Sequence, residues 1–176
     1  MYLRGGSRYH NHWLSLVHNT LLQEPFPHLV VEGALSTSDY QILLRDWDTA
    51  IPQVGIKRPS KENRIPPIDF TWKQELAAQL SKTFGIAGRP TIGRYMFRKQ
   101  GYELKPHIDP PNLLLTVLHY LPKEGQREDI GTVLYRPSEP AYHTGEGAEY
   151  FKCACEPIKV VPFTPNTMLV FLNTPY

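Results

Sequence analysis

The sequence predicts an α+β fold in which helices of the first half buttress an antiparallel sheet built by the second half. Three observations carry this. Up to residue 85 the apolar residues recur at helical spacing, whereas after Pro90 they come in short runs separated by Gly, Pro, Asn and Asp, as in closely spaced strands. No strand-helix-strand alternation occurs, so a parallel sheet is not expected and a sandwich or jelly-roll barrel is. At 176 residues the chain has the length of one domain with a sizeable core. We therefore take 1–176 as a single domain, with 1–89 a mainly helical buttress and 90–176 the strands.

Each element has its own signal. Trp13, Leu16, Val17 and Leu21 share a helical face, and Pro25 and Pro27 follow, so a helix is expected over 12–22. A short apolar run, 28–31, precedes Gly33. Ser36 with Asp39 forms a capping-box pattern ahead of Tyr40, Leu43, Leu44 and Trp47, which opens a second helix. Residues 51–70 hold four prolines with Lys57, Arg58, Lys61 and Arg64 and keep no period, so they read as a solvated loop or a flap. Thr71 and Gln74 open a third helix with Trp72, Leu76, Leu80 and Phe84 on one side, and Gly85 suits its C-terminal cap. Strands are expected over 92–98, 102–108, 113–121, 131–136, 158–161 and 168–172. No repeat of fixed period and no low-complexity tract interrupts them.

Composition excludes several classes of function. The 19 Lys and Arg against 17 Asp and Glu leave a formal charge of +2, too little for nucleic-acid binding by bulk charge. The basic stretch 57–64 is diluted by Glu62 and lacks interleaved aromatic residues. The longest apolar stretches, 113–115 and 168–172, fall far short of the roughly 20 residues that cross a bilayer. No secretory signal is legible at the N-terminus, so a cytoplasmic location is expected. Cys153 and Cys155, two apart on an extended segment, are poorly placed for a mutual disulfide and read as reduced thiols. His10 and His12 are two apart on a helix, on different faces, and read as solvated.

The constellation richest in chemistry is His107-Ile108-Asp109, at the end of an expected strand. Side chains at i and i+2 of a strand point to one face, so an imidazole and a carboxylate converge while Ile108 turns away into packing. One nitrogen and one carboxylate oxygen side by side suit two positions of a non-haem Fe(II) site, whose other positions must admit co-substrate and dioxygen. A turn at Asp109-Pro110 with an ordinary histidine is the plain alternative.

Around this pair the chain resembles the 2-oxoglutarate and Fe(II)-dependent dioxygenases, in particular the branch that includes the prolyl hydroxylases. Five pieces carry the resemblance. Glu24 to Leu35, with the capped helix that follows, is similar to the family's entry strand and first buttressing helix. Arg94-Tyr95, Gly101 and His107-Ile-Asp109 resemble its tyrosine, glycine and His-x-Asp signature. Residues 113–121 resemble a following strand that ends in Tyr-Leu, 131–136 the glycine-led strand after that, and 163–171 the turn and strand leading to the second metal-binding histidine.

The resemblance implies a double-stranded β-helix, the jelly-roll barrel, buttressed by N-terminal helices. It implies His107 and Asp109 as metal ligands, Fe(II) as cofactor and 2-oxoglutarate as small-molecule co-substrate, with Tyr120 and Tyr95 lining the co-substrate pocket. For both tyrosines, core packing with a satisfied hydroxyl is the other reading. The activity implied is hydroxylation of a peptide or small molecule with release of succinate and carbon dioxide. In the family a third ligand, a histidine, and a basic partner for the co-substrate's distal carboxylate come after the last strand, and the sequence stops at Tyr176 before either. Truncation is the expected reason, and weak or no turnover is expected of these 176 residues. His119 and His143 are the internal substitutes, but His119 faces outward if Thr116, Leu118 and Tyr120 face inward. Arg94 and Arg136 are candidates for the carboxylate partner. Two rival readings remain: a non-catalytic jelly-roll binding module with an incomplete metal site, and a zinc hydrolase built on the same pair.

Overall fold

A computed structural model describes residues 20–50, 73–87, 103–122, 130–140 and 149–173. They fall into two units, one of 35–50, 73–87 and 103 and one of 20–34 and 104–173. The first unit is helical. Helix α1 (Thr37–Ala50) starts where the capping-box pattern places it. Ser36 Oγ accepts the Asp39 N–H at 3.1 Å and donates to Asp39 Oδ2 at 2.7 Å, which satisfies an orphan donor of the first turn. Helix α2 (Lys73–Phe84) ends at Gly85, whose φ of 64° lies in the left-handed region. There the Ile86 N–H donates to the Ser81 carbonyl at 2.9 Å and the Gly85 N–H to that of Lys82 at 3.4 Å, the two-bond cap that a glycine makes without steric cost. Tyr40 and Leu43 of α1 and Leu76 and Leu80 of α2 are buried, as their spacing requires.

The second unit is made of strands, all antiparallel: β1 (His28–Val31), β2 (His107–Ile108), β3 (Leu115–His119), β4 (Gly131–Pro137), β5 (Glu149–Tyr150), β6 (Cys155–Pro162) and β7 (Met168–Leu172). One sheet has the order β1-β7-β3, and β2-β5 and β4-β6 form two-stranded sheets. Register sets the faces. His28, Phe171 and Thr116 lie in one row across the three-stranded sheet, and Val30, Leu169 and Leu118 in the next row of that face. This face meets the inner side of β4-β6: Tyr120, Leu134, Val161 and Leu169 form a buried cluster with Phe26, Val30, Leu118, Phe163 and Phe171 packed against it. Successive residues Met168, Leu169 and Val170 are all buried, so both faces of β7 are covered.

Asn166 shapes the turn into β7 with a φ of 54°, a conformation that asparagine tolerates. Its carbonyl takes the Ala34 N–H at 2.9 Å, and the Thr167 carbonyl takes that of Tyr120 at 2.8 Å.

Against the sequence reading, the mixed α+β class and the antiparallel pairing hold, and β4, β6 and β7 lie where strands are expected. Among the described residues the sheets do not close into a barrel. The helix expected over 12–22 does not extend to its last residues: Leu22 exchanges two 2.9 Å backbone hydrogen bonds with His28, a bridge that overrides the local period. Its earlier part, the 51–70 segment and the strand at 92–98 lie outside the described residues. The strand expected over 102–108 is a ladder of only two residues, since Pro106 and Pro110 flank it and cannot donate. Residues 28–31, placed with the helical half by sequence, are a strand of the second unit. Cys153 and Cys155 are free thiols. No helix among the described residues is long and apolar enough to cross a membrane.

Candidate metal centre

The pairing of β2 with β5 sets His107 opposite Tyr150 and Ile108 opposite Glu149. Ile108 is buried, while His107 and Asp109 turn the other way, each about one-fifth exposed at its side chain. The alternation read from sequence therefore brings imidazole and carboxylate together, with His107 Nε2 3.5 Å from Asp109 Oδ1.

Each ligand atom has a counterpart that is already held. His107 Nδ1 lies 2.9 Å from the Lys105 carbonyl, which can only accept, so Nδ1 carries the proton of the neutral ring and Nε2 keeps its lone pair. Thr116 Oγ1 donates to Asp109 Oδ2 at 2.5 Å and itself accepts from Asn173 Nδ2 at 3.1 Å, while the same amide donates to the Leu113 carbonyl at 3.0 Å. The two atoms left facing each other are Nε2 and Oδ1. A cation held about 2.1 Å from each needs them roughly 3.0–3.4 Å apart, so the pair fits two ligand positions with almost no adjustment. Holding the second nitrogen and the second oxygen is how proteins orient metal ligands.

In the metal-free chain the two groups support each other's charge. The hydrogen bond to Asp109 raises the His107 pKa above its ordinary value despite burial. The same bond, helped by Thr116, holds the Asp109 carboxyl below the usual carboxylate range. Tyr150 flanks the pair, its ring centroid 5.6 Å from that of His107, and is half exposed.

Of the other residues singled out by sequence, Tyr120, His119 and Arg136 are described. Tyr120 is buried in the core cluster with its hydroxyl donated to Thr132 Oγ1 at 2.6 Å and its ring 5.3 Å from that of Phe163, and burial raises its pKa. These are the contacts of a core tyrosine. Tyr95, Arg94 and His143 lie outside the described residues. His119 is on the face of β3 opposite Thr116, as the alternation requires, but it is not turned to solvent: it bonds Asn166 Oδ1 at 3.1 Å, and burial lowers its pKa. Arg136 pairs with Glu24 at 2.5 Å and with Glu156 at 3.8 Å on an exposed edge. Among the described residues no group of three or more His, Cys, Asp or Glu is gathered as a metal site. Thr116, Asn173 and Tyr150 escaped the sequence reading as site residues. Alternation along β3 puts Thr116 on the inward face, but its bond to Asp109 depends on a loop geometry that no spacing encodes.

Comparison with protein-family models, with curated proteins and with solved structures gives no match to this chain.

Proposed function

We propose that the chain belongs to an Fe(II)- and 2-oxoglutarate-dependent oxygenase of jelly-roll fold, which hydroxylates a peptide or small molecule in the cytoplasm with release of succinate and carbon dioxide. One observation carries the reading: His107 Nε2 and Asp109 Oδ1 face each other at 3.5 Å while every other polar atom of the two side chains is tied down. The iron, when bound, would supply oxidation of the co-substrate and of the primary substrate by dioxygen. His107 and Asp109 would provide two of its ligands, with a third from outside the described residues. The Lys105 carbonyl fixes the imidazole tautomer and ring direction, and Thr116 with Asn173 fixes the carboxylate.

Anaerobic addition of Fe(II) and 2-oxoglutarate to the protein should give a visible charge-transfer band, and admission of air should give succinate. Absence of both overturns the reading. The absence of a gathered third donor among the described residues favours one rival, a binding module with an incomplete metal site. That rival predicts divalent-metal binding at His107 and Asp109 with neither band nor succinate.

A further inference from the structure

Cys153 and Cys155 take no part in the pair at His107 and Asp109, and their place is set by the far end of the β4-β6 ladder. There Pro137 stands opposite Cys155, and one step further the Ser138 N–H donates to the Ala154 carbonyl at 2.8 Å. Residues two apart on such a segment share a face, so both thiols come to one side, with Ala154 and Glu156 turned to the other. The Cys155 thiol lies against Cys153. Its Sγ is 3.7 Å from the Cys153 carbonyl, and burial, then the Cys153 side chain through charge and a hydrogen bond between the two, push its pKa up. Cys153 has the opposite surroundings: its Sγ is 3.9 Å from the Glu139 carbonyl, and the backbone at Glu139 first, with Ser138 after it, holds the thiol below its ordinary pKa. Both thiols are free and partly exposed, so the pair is open to solvent.

Two converging thiols are soft donors, and their number selects a metal as much as their type. Structural zinc and iron–sulfur clusters take four protein ligands, and among the described residues no third His, Cys, Asp or Glu is gathered with this pair. The adjoining carboxylate, Glu156, is turned to the opposite face and lies 3.8 Å from Arg136. Mg(II) and Ca(II) require oxygen ligands that the pair does not offer. What two thiolates satisfy by themselves is a soft monovalent ion that accepts two ligands, and Cu(I) is the first-row metal of this kind. With metal–thiolate bonds of about 2.3 Å, as for zinc, the two sulfurs need stand no more than about 4.6 Å apart. Side chains already within hydrogen-bond reach of each other meet that span by rotation about χ1.

We infer that Cys153 and Cys155 form a two-coordinate site for Cu(I). Each sulfur releases its proton to solvent and makes one bond to the metal. The copper arrives and stays as Cu(I), so no electron changes hands. The site is separate from His107 and Asp109 and stands whether or not that pair holds iron.

Reduced, metal-free protein titrated anaerobically into Cu(I) held by bicinchoninate should take up about one equivalent and bleach the competitor's colour. Cys153→Ser and Cys155→Ser should each leave the copper with the competitor while still binding Mn(II), which shows that they are folded. Asp109→Asn should take up copper as the unaltered protein does. Cu(I) should also protect both thiols of the unaltered protein from iodoacetamide, a readout that needs no variant, and X-ray absorption at the copper edge should show sulfur neighbours alone. No uptake by the unaltered protein, undiminished uptake in either serine variant, lost uptake in Asp109→Asn, or nitrogen or oxygen among the copper's neighbours overturns the proposal. Zn(II) at the same concentration should leave both thiols open to iodoacetamide, and equal protection by Zn(II) overturns the assignment to a two-coordinate ion.

Discussion

Asp109 and Thr116 act together on one carboxylate. Replacing Thr116 by Val removes the donor to Oδ2 with little change in volume. We expect Mn(II) affinity to fall by about 10- to 100-fold in Thr116→Val, with an unchanged circular dichroism spectrum. Calorimetric titration measures this, and undiminished affinity would show that Thr116 does not support the ligand. The histidines give a second check, because burial lowers the pKa of His28 and of His119 whereas Asp109 raises that of His107. In an NMR titration of the metal-free chain, His28 and His119 should have midpoints below 6.5 and His107 above it. The sign for stability follows. A histidine kept neutral by the fold binds more protons when unfolded, so His28 and His119 destabilise the chain as pH falls below about 6.5 and contribute no pH dependence above it. His107 has the opposite sign: its contribution is complete below 6.5 and is lost as pH rises through its raised pKa. Urea midpoints for His107→Gln should therefore lack the fall that the unaltered chain shows as pH rises above 6.5, while the fall from 6.5 downward is kept.

At the scale of single elements, local chemistry and tertiary pairing divide the work. The Ser36 cap and the Gly85 cap both stand where side-chain type and spacing place them, because each is settled within five residues of chain. Ser36→Ala should cost about 1 kcal/mol of stability, read from thermal or urea unfolding. Gly131 is different: a Cβ there would collide with the Val161 carbonyl of the paired strand. Gly131→Ala should break the β4-β6 pairing near its start and cost about 1–3 kcal/mol, whereas Gly33, with open space around it, gives no such collision. The element that escaped the sequence, β5, is two residues long and made by a partner far away in the chain. So short a run holds too few alternations to read. Leu22 errs in the other direction, a helical period overruled by a bridge to His28.

Over the whole molecule, the inner cluster of Tyr120, Leu134, Val161 and Leu169 ties β3, β7 and the β4-β6 pair together. Leu169→Ala should cost about 2–5 kcal/mol, and a loss below 1 kcal/mol in urea unfolding would show that the cluster does not hold the sheets. The α+β class was legible because it rests on composition and period summed over long stretches. The convergence of His107 and Asp109 was legible because strand geometry fixes it from two positions. The bonds of Thr116 and Asn173 that hold the Asp109 carboxylate were not, since they depend on a loop geometry that no spacing encodes.

Strand β7 hydrogen-bonds to β1 on one edge and β3 on the other. Its partners in β1 lie roughly 140 residues earlier in the chain, a loop whose closure entropy must be met before the central ladder rewards it. Refolding should accordingly be slow, on the millisecond-to-second scale of non-local β topologies, and during synthesis the segment His28–Val31 must wait, sticky and edge-exposed, until Met168–Leu172 has emerged to cover it.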